Sequence, residues 1–172
     1  MTRSFAASKT LAPRVVLLAI TVVGLAALLL ACGTDDAVSP TSSHSADDAT
    51  QANRKLVVDF YDRFFNEHQV DEAASVVADD YRQHNPNVPD GKAPFVSFFK
   101  KSFADNPAQR SRIVRSAATD DLVYLHVHAT ERPDDRGSAI VDIFRVKDGK
   151  IVEHWDVIQP VPEKSANNNT MF

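Results

Sequence analysis

Ser138-Ala-Ile-Val-Asp142-Ile-Phe-Arg-Val-Lys147-Asp148-Gly149-Lys150-Ile-Val-Glu-His154-Trp155-Asp156-Val-Ile-Gln159 reads as a β-hairpin. Two runs of β-branched and aromatic residues flank Asp148-Gly149, a strong hairpin-turn dipeptide. Acidic and imidazole side chains sit within these apolar runs. Strand side chains alternate faces, so His154 and Asp156 share one face and Trp155 takes the other. The turn decides whether Asp142 joins them. A two-residue turn would set Asp142 opposite Trp155. A three-residue loop, Lys147-Asp148-Gly149 with Gly149 in a left-handed bulge, would set it opposite His154. The order Lys-Asp-Gly favours the second. That register gathers Asp142, Phe144, His154, Asp156 and Ile158 on one face, and Val141, Ile143, Arg145, Ile151 and Trp155 on the other.

Working outward from the hairpin, more strands precede it: Arg110 to Ala118, then Leu122 to Glu131. In the latter, Val123, Leu125 and Val127 oppose Tyr124, His126 and His128. Before these the periodicity is helical. Leu56, Phe60, Phe64 and Val57, Tyr61, Phe65 recur at three- and four-residue spacing over residues 51 to 67. A short helix is expected from Val70 to about Ala78, and another from Lys92 to Ala104 with Phe95, Phe98, Phe99 and Phe103 as its stripe. Between them, Pro86 and Pro89 interrupt Tyr81 to Gly91 and forbid a regular helix there. Helices first and strands afterwards indicate an α+β domain, with helices on one face of a bent antiparallel sheet.

The start of the chain is different in kind. Arg3, Lys9 and Arg14 precede an uncharged, mostly apolar run from Val15 to Ala31. This has the form of a targeting segment, although 17 residues could also make a short membrane anchor. Leu29-Leu30-Ala31-Cys32 resembles a bacterial lipobox, and Cys32, the only cysteine, has no disulfide partner within the chain. The resemblance implies lipidation at Cys32 after removal of residues 1–31, and a place on the bacterial envelope outside the cytoplasm. Residues 32–50 are then expected as a flexible tether, small, polar and acidic. Residues 51–162 form the domain and 163–172 a disordered tail. Cleavage removes three basic and no acidic residues, which leaves 16 basic against 23 acidic side chains, a formal charge of −7. That balance speaks against nucleic acid as a partner.

Tyr81-x-Gln83-His84-Asn85-Pro86, His126-x-His128, Val141-Asp142-Ile143-Phe144-Arg145-Val146 and Gly149 to Val157 together resemble the SnoaL-like polyketide cyclase group of the nuclear transport factor 2-like fold. The resemblance covers about residues 52 to 162. It implies a cone-shaped fold in which N-terminal helices close a curved sheet over a pocket. It implies aldol-type cyclisation, or a related proton abstraction α to a carbonyl, on a small apolar substrate without a cofactor. On the residues that match, Asp156 takes the place of the general base and His154 that of its neighbour. By the similar ketosteroid isomerase pattern, Tyr61 and Asp142 take the place of donors to an enolate oxygen. The isomerase base is matched by Asn85, which cannot accept a proton, a departure from the pattern that speaks against double-bond isomerisation by that route. Tyr61, His84, Asn85, Tyr124, His126, His128, Phe144 and Ile158 are expected to line the substrate pocket.

Two further readings stand beside the enzyme. His84, His126, His128 and His154 are of a metal-ligating type, though substrate contact is the preferred reading. A non-catalytic ligand-binding or accessory lipoprotein of the envelope would use the same pocket without turnover. The second strand face, read as Val123, Leu125, Val127, Val141, Ile143 and Trp155, is too apolar to leave in water and implies a homodimer through the convex side of the sheet.

Overall fold

The computed structural model describes residues 41–172. The leader, Cys32 and the first part of the tether lie outside the described residues. No helix among the described residues is long and apolar enough to cross a membrane.

Helix α1 runs Thr41–Phe65. It begins within the stretch expected as tether. The packed turns around Val57, Phe60, Tyr61 and Phe64 supply the nucleus, and extension through Ala46, Ala49 and Ala52 then adds one hydrogen bond per residue fixed. The chain leaves α1 through His68, whose φ of 56° is left-handed. Its ring stacks on Phe103 at 4.1 Å, and Nε2 meets the Gln109 carbonyl at 3.2 Å.

The helix expected from Val70 to about Ala78 is shorter. Helix α2 covers Val70–Ala73, one 3₁₀ turn follows at Ala74–Val76, and Val77–Gln83 is strand β1. Asp79 and Asp80 disguise that strand, because acidic residues are depleted in strands. They are tolerated because β1 is an edge strand, where charge also discourages unwanted pairing. Helix α3 spans Lys92–Asp105, and strands β2 to β5 span Arg110–Thr119, Leu122–Thr130, Ser138–Lys147 and Lys150–Pro160. They form one open, curved sheet in the order β1-β5-β4-β3-β2, antiparallel except for the parallel β1–β5 pair. Entry into β4 requires Gly137. Its φ is +71°, and a Cβ there would lie 2.0 Å from the carbonyl oxygen of Ala129.

The hairpin turn corrects the sequence reading. Lys147 pairs with Lys150 around a two-residue turn, with φ of 50° at Asp148 and 70° at Gly149. The register then shifts between Val146↔Ile151 and Arg145↔Glu153, so Val152 is an extra residue. That bulge, not a longer loop, makes Phe144↔His154 and Asp142↔Asp156 the facing pairs. It also turns Ile151 into the core, where it is fully buried, instead of onto the outer face.

The inner face of the sheet is built from Val123, Leu125 and Val127, all at 0% exposure, with Phe144, Val146 and Ile151. The expectation that Val123, Leu125 and Val127 lie on the convex face is therefore overturned. Register settles it, since Leu125 pairs with Asp142 and Asp142 with Asp156. Phe60, Phe64, Phe95, Phe99 and Phe103 fill the space between helices and sheet, with Phe64 stacked on Phe95 at 4.9 Å. Residues beyond Pro160 have no helix or strand, yet the Phe172 ring stacks on His128 at 4.1 Å and lies 5.8 Å from His126.

Candidate active site

A cavity of about 250 Å³ opens between the inner face of the sheet, α1, α3 and the loop after β1. Its walls are largely apolar: Phe65, Val88, Phe95, Phe99, Ile140, Phe144 and Ile158. Among these stand Asp142, His154 and Asp156. Asp142 is 4% exposed and His154 is 7% exposed. His154 Nε2 lies 2.9 Å from Asp142 Oδ1, and the Tyr61 hydroxyl donates to Asp142 Oδ2 at 2.9 Å. Asp156 accepts from Asn85 Nδ2 at 2.6 Å, and Asn85 is itself oriented by the Asn87 N–H, which donates to its Oδ1 at 2.8 Å. The ring of Phe144 rests against His154 at 4.5 Å.

Each of these contacts has a local cause. The β4–β5 register brings the two aspartates level. Tyr61 is one turn from Val57 and Phe64 on the buried face of α1, so its ring crosses the core to reach Asp142. Burial, followed by the nearby Asp142 charge, holds the Tyr61 phenol well above its ordinary range. Burial does the same for Tyr81.

Tyr61, Asn85, Asp142, Phe144, His154, Asp156 and Ile158 therefore line one cavity. His84, Tyr124, His126 and His128 do not, and their expected pocket role is corrected. Tyr124, His126 and His128 alternate with the buried Val123, Leu125 and Val127 and so point to the outer face. There His126 Nδ1 accepts from Arg115 at 3.0 Å, and His128 Nε2 meets the Arg136 carbonyl at 2.9 Å. His84 stacks on Trp155 at 4.8 Å and reaches Glu153 at 2.9 Å. The His84 hydrogen bond, with help from Arg145, holds the Glu153 carboxyl below its usual range.

The imidazoles thus do not gather into a metal site. The one group of potential ligands among the described residues is Asp142, His154 and Asp156, whose ligand atoms lie within 4.8 Å of one another. Reading the sequence also missed Tyr81 and Gln83, both of which line the cavity. Their signal is the alternation Tyr81-x-Gln83-x-Asn85, which the adjoining Asp79, Asp80 and Pro86 obscure as a strand pattern.

The SnoaL-like domain family matches residues 57–154, more than half of the chain. This chain belongs to the SnoaL-like family. No curated protein matches the sequence. Among solved structures, the SnoaL-like chain is similar to a candidate ketosteroid isomerase from Kribbella flavida, with TM-score 0.57 and 21% identity over 69% of this chain and 85% of that one. A SnoaL-like protein of unknown function from Burkholderia thailandensis gives TM-score 0.56 and 17% identity over 64% and 97%. IdmH from Streptomyces antibioticus, described as a candidate polyketide cyclase, gives 0.51 and 20% over 62% and 91%. At these identities the likeness is one of fold. It agrees with the α+β, nuclear transport factor 2-like architecture seen in this SnoaL-like chain.

Proposed function

We propose that this protein abstracts a proton α to a carbonyl on a small apolar substrate, in an aldol-type condensation or cyclisation. The observation that carries the reading is the row Asp142–His154–Asp156 set into an apolar cavity. Burying such a cluster in an apolar wall is costly unless it is satisfied or used. Asp156 is the group suited to the base. It faces the cavity, it is less enclosed than Asp142, and its second oxygen is free of the Asn85 contact. The carboxylate takes the proton from the α-carbon. The enolate carbon then attacks a second carbonyl of the same molecule, and the new alkoxide takes the proton back. The bond formed is carbon–carbon, and no oxidant or cofactor is consumed. The Asp142–His154 pair lies alongside and can hold or release a proton as charge moves. The apolar walls keep the chain folded and exclude water.

The test is exchange of α-hydrogens for deuterium in small apolar 1,3-diketones, followed by NMR in D₂O. Asp156→Asn should reduce the enzymatic rate by roughly 10²–10⁴-fold while binding persists. Equal rates for wild type and variant would remove Asp156 from the role of base. Tight binding with no exchange by either protein would favour the accessory-lipoprotein reading.

The lipobox-like Leu29 to Cys32 supports the proposal that this chemistry, or binding, takes place on the bacterial envelope through a lipid on Cys32. A homodimer through the outer sheet face is also proposed, on a smaller patch than the sequence suggested. Val141 is 43% exposed and Val157 is 70% exposed, and they are cross-strand partners. Trp155, by contrast, is covered by His84 on one side and by the Arg145 guanidinium 5.6 Å from its ring.

A further inference from the structure

Gln83 touches three members of the site and takes no part in the proposed proton transfer. Tyr81, Gln83 and Asn85 alternate along and just beyond β1, and all three line the cavity. Gln83 is also the cross-strand partner of His154. Its amide has one possible orientation. The Asn85 backbone N–H can only donate, and it lies 2.9 Å from Gln83 Oε1. The amide oxygen therefore faces Asn85 and, at 3.0 Å, His154 Nδ1. The amide nitrogen faces the Tyr81 hydroxyl at 3.1 Å.

Two polarities follow. His154 must carry a hydrogen on Nδ1, since its partner there is an oxygen. Its Nε2 then meets Asp142 Oδ1 with a single proton for the two of them. On the other side, Gln83 Nε2 donates to the Tyr81 oxygen, so the hydroxyl's own proton is left to donate elsewhere. It has no acceptor among the described residues. Tyr61 differs, because its hydroxyl is already given to Asp142. Tyr81 is 2% exposed, and its burial keeps the phenol protonated.

We propose that Gln83 is the positioning residue of this site, locking His154 as the Nδ1–H form and committing the Tyr81 hydroxyl to donate to a carbonyl or enolate oxygen bound in the cavity. The Tyr81 subsite rests on the cavity accepting a carbonyl ligand. The state of His154 does not.

The test uses the full chain in detergent, labelled with ¹⁵N. Long-range ¹H–¹⁵N spectra at neutral pH should show His154 Nδ1 as the protonated, pyrrole-type nitrogen. Gln83→Glu keeps an acceptor oxygen and should keep that signature. Gln83→Leu should lose it, and Gln83→Met repeats the test with the chain length preserved should the leucine variant misfold. Retention of the Nδ1–H form in Gln83→Met or Gln83→Leu overturns the positioning role. The probe for the subsite is 2-naphthol, a flat apolar molecule bearing one enol-type oxygen that can accept a hydrogen bond, followed by its fluorescence. Tyr81→Phe should weaken binding about tenfold, the loss expected for one hydrogen bond in a dry site. Equal affinity in that variant, or no binding to the wild type, overturns the subsite. Failure of α-hydrogen exchange would leave both results standing and would overturn only the catalytic reading.

Discussion

Asp142 and Asp156 are direct cross-strand partners on β4 and β5, and the turn that joins those strands would not by itself make them so. An unbroken ladder from Lys147↔Lys150 would set Asp142 against Trp155. The extra residue, Val152, moves the register by one and turns His154 and Asp156 inward. Since one step of register sends every later side chain to the other face, the whole site depends on that bulge. Deleting Val152 should expel His154 and Asp156 from the cavity and drive Trp155 inward. The expected outcome is a blue shift of the emission of Trp155, the protein's only tryptophan, with loss of α-hydrogen exchange. Unchanged emission would show that the register survives the deletion.

Alkaline pH should unfold the protein through its buried phenols. Both Tyr61 and Tyr81 have folded pKa values raised above the ordinary 10.0. The unfolded chain therefore loses these protons first. Above pH 10.0 the native state binds more protons than the unfolded one, and stability falls as pH rises. Below that pH the contribution is fully present. Urea midpoints measured from pH 8 to pH 11 should drop at the alkaline end, and Tyr81→Phe should make the drop shallower. A flat wild-type profile would contradict the burial of these hydroxyls.

Gly137→Ala should destabilise the fold by more than about 1 kcal/mol, because both the positive φ and the 2.0 Å approach to Ala129 oppose a side chain. Gly149→Ala is the control. Its φ is also positive, but a Cβ there meets nothing within 4 Å, so the cost is that of the backbone alone, about 1 kcal/mol. Thermal denaturation of the two variants should rank Gly137→Ala as the less stable.

Phe64→Ala should cost about 3–5 kcal/mol. The ring is fully buried and touches Phe60, Phe65, Phe95, Phe99 and Phe103, so no single neighbour can fill the space. Chemical denaturation measures the loss directly.

Val157→Asp should convert the proposed dimer to monomer at micromolar concentration with little change in thermal stability, since Val157 is mostly in solvent in the single chain. Sedimentation velocity of wild type and variant decides the point. A monomeric wild type would remove the outer face as an interface.

The class of fold and most of its elements are legible in the amino-acid order alone. Helical spacing of aromatics in α1 and α3 and period-two alternation in β3 to β5 are local signals, and each element must bury the face it marks. The same order marks Asp142, His154 and Asp156 as sharing one strand face, because carboxylates and an imidazole inside apolar runs stand out against their neighbours, and all three line the cavity. Which way those runs face depends on long-range strand pairing. Alternation says that Tyr124, His126 and His128 are together, but it does not say on which side of the sheet. The pairing of β3 with β4 places Val123, Leu125 and Val127 inside and sends the imidazoles out. Strand β1 was hidden for a related reason: an edge strand bearing Asp79 and Asp80 is held by its parallel partner β5, not by its own propensity. The contact of Gln83 with His154 arises only from that pairing. Hydrogen-bond polarity between residues some seventy positions apart is a property of the assembled site, and no local pattern encodes it.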